Sequence, residues 1–363
     1  MFRLYSLLVL LLTPLLACAE EVITVYNWEG YIALPVLKSF EAETGIRVDY
    51  HTYTSPKEIE GALSSGAAMD ISVQTHNDLP RLIKSGSIQA LDFNQLPNRK
   101  YLAPHLLGAL KALDPGNRYA VPYLWGATGL AINTPLAEAA FGGPLPNSWS
   151  LLFDPEQSRR LASCGVSWQE GANEGLTTLL RYQGRDLMRS STSRIKKAGK
   201  LLMELRPNLR YVSSTRYIND LRDGKLCVAM SWVGDALAAA AAGQDVRFVI
   251  PDEGATFFID SLVIPASAKR PDLAMRFINY LLRPEIAAQI TTETLYGSGT
   301  LQAKEFVDES LREQPGLYPD NQTKRRLTLL ENMPQKHADV SQVVWAEFIN
   351  AQAPAEASAG AAP

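Results

Sequence analysis

A chain of 363 residues with 46% hydrophobic and 20% charged residues has the composition of a folded globular protein and is long enough for two lobes that each bury a core. Its 35 Lys and Arg against 38 Asp and Glu leave a net charge of −3. That excludes the strongly basic footprint that binding to a phosphate backbone requires, so no nucleic-acid partner is expected.

The first residues, MFRLYSLLVLLLTPLLACAEE, place Arg3 ahead of an apolar run from Leu7 to Leu16 and small residues before Glu20, the pattern of a secretory signal peptide. Pro14 interrupts the run, which is shorter than the roughly 20 residues a membrane-spanning helix needs. Ala17-Cys18-Ala19 fits cleavage after Ala19, which predicts a signal peptide over residues 1–19 and a periplasmic product. The alternative is a lipoprotein anchored at Cys18, which the bulky Leu16 two places before it disfavours. Either route leaves Cys164 and Cys227 as a pair in an oxidising compartment, where one disulfide is the natural outcome and two buried free thiols the alternative. Closing a loop of about 64 residues would stabilise the fold by roughly 4 kcal/mol.

From Glu21 onward, EVITVYNW reads as a strand, PVLKSFEAETG as a helix ending at Gly45, IRVDYHTYT as a strand, KEIEGALSSG as a helix, MDISVQT as a strand and DLPRLIKSG as a helix closing at Gly86. This alternation predicts an α/β lobe with a largely parallel sheet, whose ligands gather at the carboxyl ends of the strands, here Asn27 to Tyr31 and Thr75 to Asp78. The stretch RYAVPYLWGATGLAINT is too long for one ordinary strand and predicts a strand crossing between lobes. Helices dominate from Pro155 to Asp223. The strands KLCVAMSW, DVRFVIP and FFIDSLVIP and the helices RPDLAMRFINYLL and RPEIAAQITTETL follow. The tail from Asn350 to Pro363 is rich in Ala and Pro without apolar periodicity, and disorder is expected there.

His51, His76, His105 and His337 have no metal-ligand spacing, and neither a metal nor a cofactor is expected. GALSSGA starts like a phosphate loop but has Ala67 where Lys is required, and no G-x-S-x-G or G-x-G-x-x-G is present. An exported hydrolase using Glu174 or Asp235 is a competing class, disfavoured because no nucleophile motif accompanies them. Three strand ends instead join aromatic residues to a carboxylate: Trp28-Glu29-Gly30-Tyr31, Trp232-Val233-Gly234-Asp235 and Phe257-Phe258-Ile259-Asp260. An alkylammonium wants this pairing, the acid for its charge and the aromatic faces for its methylenes. Such pairs also arise by chance, on the order of eight times in a chain of this composition, so their weight comes from lying at strand ends.

At these residues the chain resembles the putrescine- and spermidine-binding proteins of bacterial polyamine importers, its putrescine-binding branch above all. The likeness runs from about Val25 to Trp345 through VYNWEGYI, FEAETGIRVDY, NRYAVPYLWGATGL, SCGVSW, RYINDL, CVAMSWVGDA, FFIDSLVIPASAK and FINYLLRPE. The resemblance implies a two-lobed periplasmic-binding-protein fold of type II, each lobe a mixed sheet flanked by helices, hinged by crossing strands near Gly129 to Asn133 and Val249 to Asp252. Lobe 1 is expected over 22–130 and 251–297, and lobe 2 over 131–250 and 298–349.

The resemblance also implies a monomer that captures a polyamine between its lobes and delivers it to an inner-membrane ABC permease, with no catalytic activity. It carries amine-binding acids to Glu174, Asp235 and Asp260, aromatic walls to Trp28, Tyr31, Trp232, Phe258 and Tyr296, small polar contacts to Thr75 and Ser214, and a disulfide to Cys164 and Cys227. In the reading drawn from it, Asp235 and Asp260 bind one ammonium group, Glu174 helps orient another nitrogen, and the aromatic residues sandwich the aliphatic chain. One end departs from the pattern, because the acid stands one place early at Glu29 and Gly30 takes its usual position. An amine with a neutral or modified far end is therefore an alternative ligand, and a sensor that docks on a receptor an alternative role. Nearby, His76 or Asp78 adds a polar contact or simply begins the next helix, with Asn77 or Asp78 as its cap.

Overall fold

The computed structural model describes residues 21–351. The expected signal peptide and Cys18 lie outside the described residues, as does all of the expected tail beyond its first two residues.

The strands in chain order are β1 (Val22–Trp28), β2 (Arg47–Tyr53), β3 (Ile71–Thr75), β4 (Ala120–Asn133), β5 (Val166–Trp168), β6 (Tyr211–Val212), β7 (Val228–Trp232), β8 (Val246–Val249), β9 (Ala255–Val263), β10 (Gly297–Ser298) and β11 (Leu327–Leu329). Local sequence explains the first elements. In β1 the period of two buries Ile23, Val25 and Asn27 at alternate positions. The helix Leu34–Thr44 turns Val36, Leu37 and Phe40 inward and ends at Gly45, whose N–H reaches the Glu41 carbonyl.

Two sheets share β4. Its first part, Ala120–Ala127, pairs with β9 in a sheet ordered β2-β1-β3-β9-β4, and Thr128–Ile132 pairs with β7 in a second ordered β4-β7-β5-β6. β8 adds to this second sheet at Leu130–Asn133. One continuous, fully buried strand therefore serves both sheets, changing partners at Ala127 and Thr128. The chain returns to the first sheet between Val249 and Ala255. It remains there through β10, which pairs with β4, and β11, which pairs with β9. Helix Gln335–Asn350 then packs on the helices Thr192–Leu205 and Ala172–Tyr182 beside the second sheet, burying Val344, Trp345 and Phe348.

The expectation of a largely parallel sheet holds only where strand and helix alternate. β1 runs parallel to β2 and β3, and β5 to β6 and β7, but β9 is antiparallel to β3 and β4, and β4 to β7 and β8. A strand that leaves the first sheet and one that returns to it run in opposite directions. The region from Pro155 to Asp223 is mostly helical as expected, yet it hides β5 and β6, too short to show a period of two. Cys164 and Cys227 form a disulfide with Cα atoms 5.5 Å apart. It ties the chain just before β5 to its parallel neighbour β7, at the register Val166 opposite Val228, and closes the free-thiol alternative.

Candidate ligand-binding site

Asp260 is the most buried of the expected acids, at 4% exposure. The antiparallel register of β3 and β9 sets Thr75 directly opposite it, and the Thr75 hydroxyl donates to its Oδ1 at 2.7 Å. Its Oδ2 accepts from the Tyr31 hydroxyl at 2.8 Å. Tyr31 is itself held by its carbonyl, which accepts from the Tyr123 hydroxyl at 2.7 Å and from Asn27 Nδ2 at 3.2 Å. Thus the ends of β1 and β3 converge on a carboxylate in mid-β9.

Asp235 stands in the first turn of the helix Val233–Ala241, immediately after β7, where a carboxylate also suits the helix dipole. The buried Tyr217 hydroxyl donates to its Oδ2, and the Tyr296 hydroxyl to its Oδ1 at 3.4 Å. Glu174, in the first turn of helix Ala172–Tyr182, accepts from the hydroxyls of Thr128 and Thr256, the latter at 3.1 Å. Thr128 sits where β4 changes sheets and Thr256 at the start of β9. A helix of the second sheet is thereby hydrogen-bonded to both crossing strands.

Among the described residues none of the three acids has an ion-pair partner; burial and hydroxyl donors dominate Asp260 and Glu174, and Arg222 adds only a weak pull on Asp235. Burial pushes Asp235 and Asp260 up to about 6, outweighing the hydroxyls that stabilise their charge, and raises Glu174 as well. Burial, with the nearby carboxylates, holds Tyr31, Tyr217 and Tyr296 far above the ordinary tyrosine value, so they remain neutral donors. Desolvated carboxylates facing only neutral donors are half of a cation site.

An aromatic wall joins the two aspartates. Ring centroids lie 5.2 Å apart for Tyr31 and Tyr296, 5.9 Å for Tyr296 and Phe258, and 6.4 Å for Phe258 and Trp232. Tyr296 is central to it, and a glycine makes its place: a β-carbon at Gly234 would stand 2.5 Å from the Tyr296 ring. Replacing Gly234 with Ala is expected to displace the ring and destabilise the fold by about 1–3 kcal/mol. Urea denaturation checks this, and an unchanged midpoint would show that the ring yields freely.

Three expected residues stand apart from these contacts. Trp28 packs on Tyr53 at the ends of β1 and β2, with centroids 4.5 Å apart. Ser214 accepts from the Glu170 N–H at 2.9 Å, joining two loops. Glu29 is exposed, and Gly30 after it adopts φ +68°, a left-handed turn that favours glycine over an acid.

His76 also has a structural post. It is fully buried, its Nδ1 accepts from the Ile259 N–H at 3.2 Å and its Nε2 donates to the Leu330 carbonyl at 2.7 Å, so it is neutral, and burial lowers its pKa. Asp78 stands at the N-cap of the helix Leu79–Lys84 but makes no side-chain capping hydrogen bond, its carboxylate pairing with Arg81 at 3.1 Å instead. Sequence reasoning passed over Tyr217, Thr128 and Thr256, the donors to Asp235 and Glu174. Tyr217 lies in the RYINDL stretch, three residues before Asp220, but on a helix and not at a strand end, and the two threonines read as ordinary strand residues.

Comparison with known proteins puts this geometry in a family. The putrescine-binding periplasmic protein PotF of Escherichia coli (strain K12) is 38% identical over 341 residues, covering 91% of this chain and 92% of that protein. A putrescine/agmatine-binding protein of Pseudomonas aeruginosa is 37% identical over 90% of this chain and 91% of its own. The crystal structure of the spermidine/putrescine ABC transporter substrate-binding protein PotD from Streptococcus pneumoniae superposes with a TM-score of 0.81 at 25% identity, covering 90% of this chain and 98% of that one. No helix among the described residues is long and apolar enough to cross a membrane, and no cluster of His, Cys, Asp and Glu there could hold a metal. Residues 36–317 match the bacterial extracellular solute-binding proteins, and with two sheets sharing crossing strands around paired acids and an aromatic wall, the chain belongs to that family.

Proposed function

We propose that this protein captures a small polyamine in the cleft between two lobes in the periplasm and hands it, unchanged, to an inner-membrane ABC permease. The observation that carries the reading is the pair Asp235 and Asp260, desolvated, joined by the wall Tyr31-Tyr296-Phe258-Trp232, and given hydroxyl donors but, among the described residues, no ion-pair partner. In place of the single ammonium expected at the pair, each aspartate, with its own hydroxyl donors, takes one ammonium, and the methylenes between lie against the rings. Glu174 orients a further nitrogen.

The lobes are proposed to comprise about 22–127 with 255–329, and about 128–249 with 335–350, following the sheet each segment joins. Closing them brings Asp235, Glu174 and Trp232 of one against Asp260, Tyr31, Phe258 and Tyr296 of the other. A closed form stabilised by ligand is what a permease distinguishes from an empty one. The names of the relatives, which include putrescine- and agmatine-binding proteins, support the polyamine class.

A second reading rests on Gly30 and the exposed Glu29, which leave one end of the site without the acid expected there. The ligand is then an amine whose far end is neutral or modified. Thermal-shift screening of putrescine, spermidine, agmatine and acylated diamines separates the two. Strongest stabilisation by a plain polyamine, recovered intact after release, is expected for the first reading. Strongest stabilisation by an acylated diamine favours the second, and turnover of any amine would overturn both.

A further inference from the structure

We propose that the helix Thr192–Leu205, with the segment leading into it, is a docking face for an anionic phospholipid surface. Residues 185–200 read RDLMRSSTSRIKKAGK, six cations against one acid in a chain whose net charge is negative. The inner face of the helix, Ile195, Ala198, Gly199, Leu202 and Leu205, is buried against the fold, while Arg194, Lys196, Lys197 and Lys200 are exposed on the outer one.

The placement of these four cations works against the helix that bears them. Arg194 stands in its first turn, where the macrodipole favours acids, and that turn contains no acid; Lys196, Lys197 and Lys200 follow in the next two turns. They also repel one another at spacings of three and four, Arg194 with Lys197, Lys197 with Lys200 and Lys196 with Lys200. Among the described residues none of the four has an ion-pair partner: the acid just upstream, Asp186, faces Arg189 at 3.5 Å, and Glu204, four residues after Lys200, makes no ion pair with it. The helix Pro155–Leu161 shows the ordinary arrangement instead: Glu156 in its first turn pairs with Arg159 at 2.9 Å and Arg160 at 3.5 Å in its last. A face of four exposed cations with a single acid at its C-terminal end, Glu204, carries a net positive charge and is complementary to an external anionic surface.

A bilayer fits this face better than an acidic protein. Three of the four cations are lysines, point charges on flexible stems without the fixed fork that a geometrically specific partner engages. No exposed aromatic anchor accompanies them on the helix, as a protein hot spot would require, whereas the exposed Met203 suits the apolar edge of a lipid interface. Attraction of this kind is additive over the charges and weakens with salt.

The test is flotation of the whole protein with vesicles of phosphatidylcholine, alone or with about 30% phosphatidylglycerol, at low and physiological salt. The wild type is expected to float with the anionic vesicles, less so at higher salt, and not with the neutral ones. The triple variant Lys196→Gln, Lys197→Gln, Lys200→Gln is expected to lose binding by on the order of tenfold or more. A control with the same change in net charge, Lys38→Gln, Lys57→Gln, Lys84→Gln, is expected to retain it. Matching urea midpoints establish that both triples are folded. The proposal is overturned if the wild type fails to float with anionic vesicles at low salt, or if both triples lose binding equally. It is overturned too if the helix triple still floats but no longer binds permease in neutral nanodiscs, which would make the partner an acidic protein surface.

Discussion

Replacing Asp260 with Asn is expected to weaken polyamine binding by about 2–5 kcal/mol, while leaving the ligand-free protein no less stable at neutral pH. The two halves of this result have one cause. Asp260 is buried, its charge is disfavoured, and its oxygens are held only by the hydroxyls of Thr75 and Tyr31. Asparagine is nearly isosteric and removes the desolvated charge, which relieves the empty fold. In the complex the same change leaves an ammonium buried without its counter-charge. Calorimetric titration gives the first quantity and urea denaturation the second. Binding that survives the substitution would show that Asp260 is a framework residue, and a large fall in stability would show that the carboxylate is needed by the fold itself.

Binding is also expected to fall steeply as the solution is acidified from pH 7.5 to pH 5, approaching a hundredfold loss. Asp235 and Asp260 both titrate at about 6 in the empty protein because burial raises them. At pH 5 each is only about one-tenth ionised, so each lowers the apparent affinity about tenfold, while the amine stays protonated throughout. The sign for stability is opposite. Because the folded values lie above the ordinary 3.8, the stabilisation these groups give the empty fold is complete below about pH 4 and is lost as pH rises through 6. Ligand is therefore expected to raise the melting temperature more at pH 7.5 than at pH 5. An affinity that stays flat across this range would mean that neither aspartate meets the ligand's charge.

The parts of this site that the sequence made legible are those written locally. Asp235 and Asp260 both follow aromatic residues, Asp235 at a strand end as expected and Asp260 within β9 instead of at its end, and the alternation of β1 and the long apolar β4 announced a lobe and a crossing from the residues alone. Glu174 and Tyr296 have no such local mark, and as ligand contacts only the family likeness pointed to them. Tyr296 reaches the cluster from beyond the helix Pro284–Thr294, more than 30 residues after Asp260. The hydroxyl donors Tyr217, Thr128 and Thr256 were invisible because each meets its acid only through tertiary packing: Tyr217 sits on the helix Arg216–Arg222 beside the helix that bears Asp235, and Thr128 and Thr256 lie on the two crossing strands beside Glu174. Alternation also says nothing about the direction of a returning strand, which is why β9 reversed the expected parallel order. Glu29 illustrates the converse. Its aromatic neighbours recommended it, but the left-handed turn at Gly30 decides where the chain goes, and Glu29 is left exposed.

The central claim is that two charged ends of a short amine meet Asp235 and Asp260 across one aromatic wall. Calorimetric titration of the whole protein at pH 7.5 with 1,4-diaminobutane, against the same chain terminated by hydroxyls, 1,4-butanediol, tests it most directly. The account predicts saturable one-to-one binding of the diamine and none of the diol at matched concentrations. Equal binding of the two, or binding of neither by a folded protein, would contradict it.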